Sequence, residues 1–156
     1  MSSKRNSPMT LEAALQPQTK PVSMGKFEPV AWNRVKNFMR PVLGAHFAEA
    51  GRRINKGTEK AYAINDYNVA LFRAEGTELV VTGFVGDLRE CAPLIALQAR
   101  NKGFKTIRCH ISRRAELRAL RGMGLQFQMV ESRLCKAINC NEFIIRLDLD
   151  GWRFRK

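Results

Sequence analysis

The chain has 156 residues and a mass of 17.7 kDa, room for about one domain. Lys and Arg number 27 against 14 Asp and Glu, a formal net charge of +13, and 45% of residues are hydrophobic, enough for a core. Wholesale disorder is thereby excluded, and no apolar run approaches the roughly 18 residues of a membrane-spanning helix or the apolar stretch of a signal peptide.

Residues 1 to about 27 read as a basic, extended arm, with Ser2, Ser3, Ser7, Pro8, Pro17 and Pro21 among Lys4, Arg5, Lys20 and Lys26. Inside it Met9 to Leu15 has the spacing of one or two helical turns capped by Thr10. So short a helix is marginal alone. Two readings stand: a solubilising arm, or a peptide that docks on a partner through Leu11 and Leu15.

From Val30 to about Ile54 apolar residues recur at three- and four-residue steps with arginines between them, the pattern of helix. Pro41 is expected to interrupt this stretch or to start a second helix, and Gly51, Asn55 and Gly57 to close it. Three strand-like runs follow: Lys60–Ile64, Val69–Ala74 and Leu79–Val85. The short connectors Asn65–Asn68 and Glu75–Thr77 make them an antiparallel meander. Gly83 within the third run marks a bulge or a close backbone approach.

Asp87 is a good N-cap for a helix running to Asn101, although Pro93 suggests a start nearer Ala92. Phe104–Ile111 reads as a strand, then Ser112 caps a helix to Arg121 that Gly122 and Gly124 stop. Leu125–Glu131, extended by Arg133–Ile138, and Glu142–Leu149 complete the strands, with a turn at Asn139–Asn141. The order implies one α/β domain over residues 28–156: a mixed, mostly antiparallel sheet with helices packed on it.

Cys91, Cys109, Cys135 and Cys140 form no CxxC pair, and the histidines are His46 and His110. That spacing argues against zinc and for free thiols in a reducing compartment. No GxSxG, HExxH or phosphate loop of the GxxxxGK[ST] type occurs. The densest basic stretch is Lys102, Lys105, Arg108, Arg113, Arg114, Arg118 and Arg121, opposed only by Glu116. Arg114, Arg118 and Arg121 share one helix face, and Arg108 and His110 one strand face. One patch for phosphates of DNA, or for an acidic protein, is expected if these faces adjoin; a solvated helix face is the other reading. At the end of the chain Trp152 and Phe154 interleave with cations, and are expected to tuck onto the sheet edge, the other reading being stacking on bases or lipid headgroups.

The element order resembles the GNAT (Gcn5-related N-acetyltransferase) fold, best from Thr77 to Gln128. TELVVTGFVGD is similar to the long fourth strand and LRECAPLIALQARNKG to the helix behind it. FKTIRCHIS then matches the fifth strand, and RRAELRALRGMGLQFQ the last helix with its Gly turn. The resemblance implies a coenzyme A pyrophosphate loop, Gln/Arg-x-x-Gly-x-Gly/Ala, between that strand and helix. Here the stretch holds Gly86 alone, followed by Asp87. The family's general-acid Tyr falls on Leu120, and Glu78 and His110 are the only plausible bases. No cofactor is therefore expected. Size, arm and lost motif also resemble GNAT-like proteins of tailed-phage virions. The expected role is a non-catalytic, minor structural or assembly component of a virion, in the particle or the host cytoplasm, meeting other subunits and DNA. The alternatives are an acyl-CoA-dependent N-acetyltransferase with a degenerate coenzyme site, or a small regulator gripping a host protein.

Overall fold

A computed structural model describes residues 26–135 and 140–152, without the side chains of Cys135 and Cys140. Leu11 and Leu15, the start of the Asn139–Asn141 turn and Phe154 lie outside the described residues. The described strands are β1 (Phe27–Pro29), β2 (Lys60–Ile64), β3 (Asn68–Glu75), β4 (Glu78–Val85), β5 (Thr106–Ile111), β6 (Gln128–Cys135) and β7 (Cys140–Asp148). They form one seven-stranded sheet in the order β1-β2-β3-β4-β5-β7-β6. β4 and β5 run parallel, while the other described pairs are antiparallel.

The meander has the expected turn chemistry. Asn65 and Asp66 take positive φ between β2 and β3, which Asn and Asp tolerate because their side chains bond locally. The short β1 spans the expected boundary between arm and domain; three residues ending in Pro29 carry no readable alternation.

Two helices cover each face. α1 (Trp32–Leu43) and α2 (Phe47–Lys56) bury Val35, Met39, Leu43 and Ala50 against Ala61 and Leu71 of the meander. α3 (Leu88–Asn101) and α4 (Arg114–Gly122) pack on the other face, where Ile95, Leu117 and Leu120 meet Ala70, Ile107, Ile145 and Leu147. Ala70 and Leu71 thus point into opposite cores, as strand alternation requires. Trp152 is buried in the second core, and Arg100 donates to its carbonyl at 2.7 Å.

Five local expectations fail. Pro41 lies inside α1, and the break comes three residues later in a 3-10 turn, Gly44–His46. Gly51 does not end α2 but sits within it, where a Cβ would lie 3.4 Å from the Trp32 indole nitrogen; Gly57, with φ +82°, is the cap. α3 starts at Leu88 with Pro93 inside it, because Asp87 satisfies the first-turn amides and Pro93 forfeits one bond further on. The N-cap of α4 is Arg113, not Ser112, and makes no side-chain cap bond. Leu125 and Phe127 are core residues of the connection into β6 rather than strand.

Candidate functional site

The sheet divides between β4 and β5. These strands pair only from Glu78↔Thr106 to Val81↔Cys109. Beyond that, β4 stays with β3 through Val69↔Val85, and β5 stays with β7 through Ile111↔Phe143. The two strands are pulled apart by their outer partners. A bulge at Thr82 aids this, since Leu71 faces Gly83 and Phe72 faces Val81. Gly83 also admits α1: a Cβ there would come within 3.0 Å of Met39 and 3.1 Å of Leu43. Both meanings read into Gly83, bulge and close approach, are present.

The split opens a cleft of about 760 Å³. Its inner wall is apolar, with Val81, Phe84, Ile95, Ile107 and Leu120. On the α1–α2 side its lining includes Val42, His46, His110, Arg133 and Glu142. His110 Nδ1 lies 2.9 Å from Glu142 Oε2, and Arg133 donates to the other carboxylate oxygen at 3.2 Å. Burial alone would raise the Glu142 pKa, but His110 and Arg133 outweigh it and hold the carboxyl below its ordinary range. Cys109 also lines the cleft, yet burial, with the Glu116 charge adding, pushes its thiol to about 12. A thiol so protonated is a poor nucleophile. Leu120, where the resemblance wanted a general acid, is a buried core residue.

The amides of the loop above the cleft are already engaged. Gly86 has φ +139°, and any Cβ there would lie 2.1 Å from Asn68 Oδ1. Buried Asn68 holds that loop, donating to the Ile64 carbonyl and accepting from the Asp87 amide at 2.8 Å. Asp87 Oδ1 in turn accepts from the amides of Arg89 (3.0 Å) and Glu90 (3.3 Å). A helix N-terminus binds phosphate through such amides. Here three of them already have protein acceptors, one of which is itself an anion.

Glu78, one of the two candidate bases, is fixed elsewhere. It sits at the start of β4, at the opposite end from the split, and accepts from Thr106, Arg108 and Arg146. Burial would raise its pKa, but the hydrogen bonds from Arg146 and Thr106 and the charges of Arg146 and Arg108 hold it below the ordinary value. It belongs to a ladder across the sheet: Arg53 to buried Glu59, Arg73 to Glu59 and Glu75, Arg108 to Glu75 and Glu78. The sequence carries no sign of this ladder, because its partners stand on α2, the connection before β2, and the strands β3, β4 and β5.

The basic residues do not form one surface. Ile107 points into the core beneath α3 and α4, so Arg108, its neighbour, points to the opposite face and into the ladder. The expected union of Arg108 with the α4 arginines is corrected accordingly. Arg113, Arg114, Arg118 and Arg121 are exposed along α4, and Lys102 and Lys105 are exposed at the far end of β5 from Arg113. Arg121 is tied back to the Phe127 carbonyl at 3.0 Å, and Arg114 lies over the Phe143 ring. Among the described residues no group of three or more His, Cys, Asp or Glu could hold a metal ion, and no helix is long and apolar enough to cross a membrane.

A mixed seven-stranded sheet, split between parallel β4 and β5 and backed by α3 and α4, is the fold of the GNAT acetyltransferases. Solved structures similar to this chain include the ribosomal-protein-S18-alanine N-acetyltransferase from Escherichia coli, with a TM-score of 0.60 and 12% identity over 80% of this chain and 94% of that one. A probable GNAT-family acetyltransferase from Chromobacterium violaceum gives 0.59 at 12% identity, over 85% and 91%. A Bacillus subtilis acetyltransferase in complex with CoA gives 0.58 at 11% identity, over 79% and 96%. No family model and no curated protein matches the sequence. At such identities the likeness establishes the fold alone.

Proposed function

We propose that this protein is a non-catalytic bearer of the GNAT fold that works as a binding and assembly component, a minor structural part of a tailed-phage-like virion. The observation that carries the non-catalytic part is the Asp87 carboxylate on the amides of Arg89 and Glu90, with the Asp87 amide already given to Asn68. A pyrophosphate would have to displace an anion from the place it needs. The buried Leu120 and the ion-paired Glu78 support the same reading. The virion role rests on the size, basic arm and lost motif of the chain, and the DNA contact on the exposed arginines of α4.

The second reading is an N-acetyltransferase with a degenerate coenzyme site. The open cleft and the His110–Glu142 pair in its lining favour it. One experiment separates the two. Calorimetric melting of the full chain in millimolar acetyl-CoA tests binding by mass action, since a ligand of the folded state raises Tm. No shift is expected. A clear shift with micromolar affinity overturns the non-catalytic reading. Co-sedimentation of the protein with purified particles tests the virion role, and recovery only as free protein refutes it.

A further inference from the structure

β6 closes one edge of the sheet, with β7 along one side and no described strand along the other. Every residue from Val130 to Leu134 is exposed, and two are large and apolar, Val130 at 47% and Leu134 at 62%. An edge of this length with no described strand beside it is a template for another strand unless charge, proline, a bulge or brevity blunts it. The opposite edge is blunted: β1 has three residues and ends in Pro29. β6 has eight residues and no proline; its bulge is confined to Val130, its charges Glu131 and Arg133 are of opposite sign, and from Glu131 to Cys135 its register with β7 is unbroken.

The side chains of β6 are complementary to themselves. If a second β6 lies antiparallel about Ser132, Glu131 faces Arg133 of the other copy, within the regular stretch that begins after the bulge at Val130. Glu131 pairs with Ile144 and Arg133 with Glu142, so both charges stand on the same face of the sheet. A two-fold axis perpendicular to the sheet keeps that face continuous, and both ion pairs form at once. Within one copy Glu131 reaches Arg133 only along its own strand, at 3.7 Å. Opposite charges directly across an antiparallel pair stabilise it, and like charges there oppose it.

We propose that two copies of this chain associate edge to edge through antiparallel β6 strands, with Glu131–Arg133 pairs either side of Ser132, giving one continuous sheet. The inference is independent of the coenzyme question, since β6 lies outside the α3 loop. It goes beyond the assembly role by naming a first contact, a second copy of the same chain.

Sedimentation velocity of the full chain, from micromolar to sub-millimolar concentration, tests it. A dimer that grows with concentration is expected. Glu131→Arg and Arg133→Glu should each weaken association by about tenfold or more, because each places like charges across the axis. The double exchange restores the pairs with their signs reversed and should recover wild-type association. Arg133 also bonds Glu142, so circular dichroism of each variant checks folding, and Val130→Lys, at an exposed position, should give a folded monomer in any case. A wild-type chain that stays monomeric overturns the proposal. So does a dimer indifferent to all three substitutions, or a folded double variant that fails to associate.

Discussion

Replacing Asp87 by Ala should lower stability and, at the same time, open the start of α3 to anions. The carboxylate accepts from two first-turn amides, at 3.0 and 3.3 Å, on an exposed loop. Loss of such a cap costs about 1 kcal/mol, within a range of roughly 0.5–2. In a domain of this length that corresponds to a fall in Tm of about 2–4 °C. The freed amides then carry the positive end of the helix dipole, about half an elementary charge, with no carboxylate to neutralise it. Pyrophosphate or coenzyme A at about 100 times its Kd would return about 2.7 kcal/mol, more than the cap contributed. Differential scanning calorimetry of both proteins, with and without ligand, reads the two effects separately. The variant should melt lower alone and gain from the ligand, while the wild type gains nothing. Equal ligand stabilisation of both proteins would refute the blocking argument, and equal melting without ligand would refute the capping argument.

Acidification should destabilise the fold through Glu75, Glu78 and Glu142. Burial would raise each of these carboxyls, but arginines, and His110 at Glu142, leave them below the ordinary 4.5. Their stabilisation is therefore complete above about pH 4.5 and is lost as pH falls through the lower folded values; thermal melts across that window check it. Arg108→Gln, which removes a partner of both Glu75 and Glu78, should make that acid loss shallower and lower stability at neutral pH by about 1–3 kcal/mol. Cys91 and Cys109, both pushed to about 12 chiefly by burial, should escape maleimide labelling in the native chain and react on unfolding, as peptide mass spectrometry would show. For DNA, Arg113→Gln with Arg118→Gln should weaken binding to every sequence alike and reduce the salt slope by about two units; an unchanged slope removes the nucleic-acid reading of α4.

Much of the fold was legible because its signals are local. Turn residues at Asn65–Asp66 and Gly76, the change of period after Asp87 and the Gly stop after Arg121 lie within a few residues of what they control. The Asp87 cap and the loss of the family's Tyr at Leu120 were equally plain, since each needs only one position. Three of the local misreadings have a common cause. Pro41, Gly51 and Pro93 have strong intrinsic tendencies, but packing of the helices against the sheet and the indole of Trp32 overrides them.

What only the tertiary structure decided depends on residues far apart in the chain. The cleft exists because β3 and β7 hold β4 and β5 in diverging directions, and neither strand's own sequence encodes that divergence. Asn68 reads as one more turn residue until its amide is seen 19 positions away, holding the Asp87 loop. Arg108 reads as part of a basic run until strand alternation places it across the sheet from α4, where Glu75 and Glu78 neutralise it. A sequence states which charges are present. Their sum at any surface is set by the folded chain, because Coulomb interactions act through space, and neighbours in space here are separated by about thirty residues.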